Sequence, residues 1–257
     1  MSTLFIGNDI LYNKNVKRKI KNLDSIINDL KLILKKYKIH YIQPIYKNNL
    51  NIDYSLWVRD IIFNFDNVLY HSNTMKCNNN RCLYIKEETK TIPFEYEIIP
   101  EKYNIDGGDI IQYKNIVFVG VGARTDRQNF TFIPYKKIFL KHNALHLDCC
   151  FMILPCGTIF YTNQVKLPKQ VKKDYNCISL EKYIHPYFTT NLATNILVLN
   201  NKTLIVAKKK QFNTFYNLLK KIGYTIHEID VYNLFEFGGS IRCMTQWIHV
   251  DNKLIVR

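Results

Sequence analysis

The chain has 257 residues and carries 36 Lys+Arg against 21 Asp+Glu, a formal net charge of +15 with neutral histidine. Hydrophobic residues at 47% supply a full core and exclude a disordered chain, while 9 Gly and 7 Pro exclude collagen-like and linker-like sequences. No run approaches the roughly 18 uninterrupted apolar residues of a bilayer-spanning helix, and the opening MSTLFIGNDILYNKN has no basic segment before an apolar run, so neither membrane insertion nor secretion is expected.

In chain order, residues 16–37 predict a helix, since Val16, Ile20, Leu23, Ile26, Ile27, Leu30, Leu34 and Tyr37 follow i, i+3, i+4, i+7 spacing. A strand, HYIQPIY, follows from His40. Five segments then share a pattern in which a polar residue opens an apolar run, a turn follows, and a second apolar run returns. They are DIIFNFDNVLYHS from Asp60, DIIQYKNIVFVG from Asp109, DCCFMILPCGTIFYT from Asp148, NILVLNNKTLIVAK from Asn195 and CMTQWIHVDNKLIVR from Cys243. Each predicts a β-hairpin. Residues 73–104 are polar and irregular and predict loops. Residues 126–141 predict a weak helix interrupted by Pro134. Residues 208–222 predict a helix stopped by Gly223, and the strand YTIHEIDV follows. The hairpin openers stand 49, 39, 47 and 48 positions apart. Five units of about fifty residues suggest a ring of five blades, forming a single α/β domain over 1–257.

Cysteines stand at 77, 82, 149, 150, 156, 177 and 243. Without a secretory signal they are expected as reduced thiols in the cytoplasm. Cys77 and Cys82 bracket CNNNRC, but no second Cys/His pair completes zinc-ligand spacing, so no metal is assigned. Cys149, Cys150, Cys156 and Cys177 are expected as buried small hydrophobes, and His142 as a surface or core residue. Basic residues are spread along the chain, as in KRKIK at 17–21 and KKK at 208–210. Such a surface attracts polyanions, yet no zinc finger, RNP-type motif or helix-turn-helix accompanies it. A catalytically idle protein that binds nucleic acid or protein through that surface is the rival reading. Nothing in the pattern speaks to oligomeric state.

In a ring of blades the hairpin openers gather near the axis, so Asp60, Asp109, Asp148, Asn195 and Cys243 converge. His146 precedes Asp148 by two residues and points into the same space in an extended strand. Gly107 and Gly108 after Asp106, and Gly238 and Gly239 before Cys243, permit close backbone approach or positive φ. A thiol, an imidazole and several acids fit nucleophilic chemistry on a cation, because carboxylates grip a planar guanidinium. Acids beside a thiol disfavour its ionisation unless the substrate brings positive charge. Each Asp by itself is a common turn residue; the joint pattern carries the reading.

WVRD at 57–60, DGGD at 106–109, GARTD at 122–126, HLD at 146–148 and GGSIRCMT at 238–245 resemble, in order, the motifs of the guanidine-modifying (pentein) superfamily. That group includes arginine deiminases, dimethylarginine dimethylaminohydrolases, agmatine deiminases and amidinotransferases. The resemblance covers roughly residues 50–257 and implies a five-bladed α/β propeller. It implies Cys243 as nucleophile, His146 as general acid/base and Asp106, where Glu is common, as the acid that orients the histidine. Asp60 and Asp148 resemble the guanidinium-gripping acids, Asp109 a second motif acid of more structural role, and Arg124 the arginine that holds a substrate α-carboxylate. The implied partner is a small guanidino substrate, with no cofactor. Length and GARTD most resemble dimethylarginine dimethylaminohydrolase. Arg59 beside Asp60 is more like arginine or agmatine deiminases, and Arg242 leaves the substrate open.

Overall fold

The computed structural model describes residues 2–7, 20–43, 56–65, 68–72, 96–100, 102–128, 130–185 and 192–249. Strand β1 (Ser2–Ile6) leads to helix α1 (Leu23–Lys36) and strand β2 (Tyr41–Ile42), which pairs in parallel with β1. Leu23, Ile26, Ile27, Leu30 and Leu34 form the buried stripe of α1, with Asp24 in its first turn and Lys35 and Lys36 in its last, complementing the helix dipole.

The same small sheet then recurs. Each is an antiparallel hairpin whose second strand pairs in parallel with a third. β3 (Ile62–Phe65) and β4 (Val68–His71) form a hairpin, and β5 (Tyr96–Ile98) adds to β4. β6 (Ile110–Tyr113), β7 (Ile116–Val121) and β8 (Lys136–His142) repeat the arrangement. Next come β9 (Phe151–Ile153) and β10 (Ile159–Tyr161). After them β11 (Val165–Lys166) returns to β8, and helix α2 (Lys169–Asp174) carries the chain to β12 (Cys177–Ser179) beside β10. β13 (Leu197–Asn200) and β14 (Thr203–Ala207) are followed by helix α3 (Asn213–Lys221) and β15 (Thr225–Ile229). A parallel partner needs a long crossover, and α1, α2 and α3 supply three of them. Gly223, at φ +99°, ends α3 as anticipated.

Three expectations change. β16 (Thr245–His249) pairs antiparallel with β1, so the first strand of the chain completes the fifth unit, with α1 and β2 as its helix and third strand. The expected partner run from 250 onward lies outside the described residues. The stretch 126–141 forms no helix. Pro134 withholds a helical N–H, and the aromatic and branched residues of KKIFLKH pair along β7 as β8. Within 73–104, Tyr96–Ile98 is a strand, while 73–95 and the Cys77/Cys82 pair lie outside the described residues.

The sheets pack on one another in sequence. Phe63 and Phe65 meet Ile110 and Val117; Phe118 meets Phe151; Phe160 meets Leu204 and Phe215; Leu197 and Ile205 meet Leu4, Ile6 and α1. Gln246 of β16 donates to Asn64 of β3 at 3.2 Å. The turns that precede the first strands are thereby brought together. Among the described residues, no helix is long and apolar enough to cross a membrane.

Candidate active site

All five hairpin openers sit on the turn just before a first strand, and all are buried. Asp60 lies in a helical turn (Val58–Ile61), Asp109 and Asp148 in the 3-10 turns Gly107–Asp109 and Leu147–Cys149, and Asn195 and Cys243 in the turns ahead of β13 and β16. Side chains far apart in sequence meet here.

The imidazole of His146 is held on both sides. Its Nε2 lies 2.8 Å from Asp106 Oδ2 and its Nδ1 3.3 Å from Asp60 Oδ1. Burial disfavours the charged ring, but the Asp60 charge, the Asp106 hydrogen bond and charge, and Asp109 outweigh it, so its pKa is raised well above the ordinary histidine value. Asp106 is itself anchored, its backbone N–H donating to Thr125 Oγ1 at 3.0 Å. This ties DGGD to GARTD. Gly108 explains the glycine pair: a Cβ there would stand 2.7 Å from the His146 ring and 3.0 Å from Asp60. Close approach, not positive φ, is what that position requires. Gly238 instead adopts φ +79°, and a Cβ on Gly239 would strike the Trp57 ring at 2.3 Å. The WVRD and GGSIRC segments thus abut.

Asp109 is fully buried. Its Oδ1 accepts the Leu147 N–H at 2.7 Å and faces His142 Nε2 at 3.0 Å, while His142 Nδ1 lies 3.2 Å from the Ala144 carbonyl. These contacts brace the turn that carries His146 and Asp148.

A second cluster surrounds the thiol. Asn195 Nδ2 donates to Cys243 Sγ at 3.0 Å, and its Oδ1 accepts from the backbone N–H groups of Arg242 and Cys243 at 3.0 and 3.3 Å. The Cys243 carbonyl accepts the Arg59 N–H. Asp148 is wholly buried, with Oδ2 3.5 Å from Arg59 Nε and 3.8 Å from Arg242 Nε. Arg59 also donates to Gln246 Oε1 and, at 2.7 Å, to the Ile110 carbonyl. Burial and the neighbouring Arg242 push its pKa down to about 9, against the pull of Asp148, Cys243 and Asp60. Burial likewise lowers Arg242, opposed by Asp148 and the thiols. The Cys149 thiol donates to Asp148 Oδ1 at 3.6 Å, and interaction with the Cys243 thiol, burial and Asp148 together raise its pKa well above the usual thiol range.

His146, Asp148 and Cys149 offer ligand atoms within 4.8 Å of one another. Both ring nitrogens of His146 already face carboxylates, so the imidazolium is a poor metal ligand. Arg124 is half-buried on the loop fixed by Thr125. Cys149 and Cys150 are buried as expected, but Cys156 is exposed and Cys177 partly so. Cys156 lines a separate cleft of about 390 Å³ with Tyr113 and Tyr175, in whose wall neither His146 nor Cys243 takes part.

Arg59, Arg242, Cys149 and His142 were given no catalytic or binding role from the sequence, and Asn195 was expected near the axis without a role. Asn195 had a signal, as the fourth opener of the repeat. Cys149 stands next to Asp148 in HLDC, but a cysteine in an apolar run reads first as core.

No family model matches the chain. An uncharacterized protein of Bacillus subtilis (strain 168), YkgA, is 33% identical over 156 residues, covering 55% of this chain and 51% of the relative. The match thus spans about half of that relative's length. Solved structures are similar over nearly the whole chain. SxtG, an amidinotransferase from Microseira wollei in a saxitoxin biosynthetic pathway, superposes with TM-score 0.77 at 14% identity, covering 98% of this chain and 95% of that one. The N-terminal domain of ArgZ, covalently bound to a reaction intermediate, gives TM-score 0.77 at 14% identity, covering 98% and 100%. A dimethylarginine dimethylaminohydrolase adduct gives 0.67 at 12%, covering 95% and 98%. The chain therefore has the fold of the guanidine-modifying, or pentein, superfamily. At these identities the likeness establishes the fold and leaves the reaction to the site.

Proposed function

We propose that the protein hydrolyses the guanidinium group of arginine or a methylated arginine through a covalent intermediate on Cys243. The observation that carries this is His146, clamped between Asp106 and Asp60 with a raised pKa and two residues from Asp148, which shares its surroundings with Cys243. The successive packing of the five sheets, with β16 reaching β3, supports a closed five-bladed ring around these residues as one catalytic domain.

In this reading the Cys243 thiolate, near the guanidinium groups of Arg59 and Arg242, attacks the guanidinium carbon. Asp60 accepts N–H bonds from the substrate. Asp148 grips its other edge once the substrate displaces the long contact from Arg242. Protonated His146 gives its proton to the departing amine, and a thiouronium remains on sulfur. Neutral His146 then takes a proton from water, which attacks the same carbon and releases a ureido product such as citrulline. Arg124 binds the substrate carboxylate. The steps call for no metal or organic cofactor, and they need Cys243 reduced, as in the cytoplasm. Likeness to SxtG favours a second reading, in which an acceptor amine replaces water.

Incubation with arginine or methylarginines, with and without glycine, separates the two readings. Citrulline marks hydrolysis; ornithine with a new guanidine marks transfer. Cys243→Ser abolishes turnover and the adduct seen by mass spectrometry. Full turnover in that variant, or salt-dependent RNA binding without consumption of any guanidine, overturns the proposal.

A further inference from the structure

The second thiol at the centre has no part in that mechanism. Cys149 and Cys243 are 1% and 2% exposed and both are free. Their proximity is built in. The turn 192–195 fastens both segments at once: the Leu192 N–H donates to the Cys149 carbonyl at 3.1 Å, and Thr194 Oγ1 donates to the Asp148 carbonyl at 3.1 Å. One residue on, Asn195 holds the Cys243 sulfur and its backbone. A four-residue turn therefore holds the segments of both cysteines together.

We propose that Cys149 and Cys243 form a peroxide-sensitive pair that closes into a disulfide and reversibly shuts the site. The Cys243 thiolate attacks a peroxide oxygen, forming an S–O bond as the O–O bond breaks and hydroxide or alkoxide leaves. The Cys149 thiol gives up its proton and attacks the Cys243 sulfur, forming S–S as S–O breaks; the expelled hydroxide takes that proton and leaves as water. Each sulfur loses one electron and the peroxide gains two. A dithiol reverses the reaction by exchange. Cys149, with its raised pKa, stays a protonated neighbour until the sulfenic acid forms. It protects Cys243 from further, irreversible oxidation. Cys150, next in sequence, is directed elsewhere: its thiol faces the Leu147 carbonyl at 3.4 Å.

The test uses the full chain treated with hydrogen peroxide, then blocked with a maleimide in denaturant and mapped by mass spectrometry without reduction. The expected result is a cross-link between the peptides bearing Cys149 and Cys243, loss of two of the seven cysteine thiols, and full return of both with dithiothreitol. The cross-link persists in Cys150→Ser and vanishes in Cys149→Ser, where Cys243 proceeds to sulfinic acid. To separate lost pairing from a folding defect of that variant, wild-type protein is also oxidised in denaturant, where the specific pairing disappears. A wild-type chain in which Cys243 oxidises without cross-linking, or a link that survives Cys149→Ser, overturns the proposal. The readout is a covalent mass, independent of guanidine turnover, so failure of the catalytic assignment leaves a distinct result.

Discussion

The Asn195 amide reaches the Cys243 sulfur at 3.0 Å while its carbonyl oxygen holds the backbone N–H groups of residues 242 and 243. One side chain thus fixes the position of the thiol and supplies a donor to it. A donor aimed at the sulfur is placed to act on the attacking atom. Asn195→Ala should lower kcat by about 10²-fold, comparable to the loss of one oxyanion-hole donor, and slow alkylation of Cys243 by iodoacetamide at neutral pH. Asn195→Asp, which places a negative charge there, should be slower still. Unchanged alkylation in both variants would show that the contact does not act on the sulfur.

His146 gives a pH prediction of definite sign. Its pKa is raised in the folded protein, chiefly by Asp60 and Asp106 acting against burial. The folded state therefore binds this proton more tightly than the unfolded chain. The resulting stabilisation is fully present below the unfolded value of about 6.5 and is lost as pH rises through the elevated folded value. Activity that depends on the imidazolium as proton donor should decline over the same alkaline range. Asp106→Asn removes one raising charge, so the alkaline limb should move to lower pH. Imidazole NMR titration alongside the rate profile checks it; an unmoved limb counts against His146 as the acid.

Gly108→Ala tests the close approach of the DGGD backbone. The added methyl would stand 2.7 Å from the His146 ring, with Asp60 Oδ1 behind it at 3.0 Å. The ring must shift, and a displacement near 1 Å costs about 10²-fold in rate. The expected outcome is a fall in kcat of that order with a near-normal circular dichroism spectrum. Wild-type kcat would show that the imidazole position is not critical.

Arg59→Met removes a buried guanidinium that serves Asp148, Gln246 and the Ile110 carbonyl together. For a cationic partner Asp148 would keep Arg242 at 3.8 Å. Breaking one partner of a buried ion pair costs about 3 kcal/mol or more, so urea unfolding should shift to a clearly lower midpoint with an unchanged slope. A loss below about 1 kcal/mol, the scale of surface pairs, would mean that Asp148 is not relying on Arg59.

The hairpins at Asp60, Asp109, Asp148 and Asn195 were legible because alternating apolar runs around a turn are a local signal. So was α1, whose buried stripe follows the helical period. The stretch 126–141 misled because its basic and apolar residues suit either period. Its strand pairing with β7 is a long-range event that Pro134 only hints at. Asp60, Asp109, Asp148 and Cys243 stood out by repeat position, His146 by its place two residues before Asp148, and Asp106 by the glycine pair that follows it. Arg59 and Arg242 looked like substrate-tuning neighbours and proved to be partners of Asp148, the first buried and the second partly so. His142 carried no signal, since it ends β8 while its partner Asp109 precedes β6, and only the folded sheet brings the two together.

What the amino-acid order determines by itself is a set of similar units, each opening on a polar residue, because turn chemistry and apolar alternation act over a few positions. Which strand completes the last unit was decided only by the folded chain: β1 pairs with β16 because backbone N–H and C=O groups need partners, wherever in sequence those lie. The same holds for the site. Burial at the meeting of five turns is what turns separate acids, a histidine and two thiols into one interacting group, and no local pattern can state those distances.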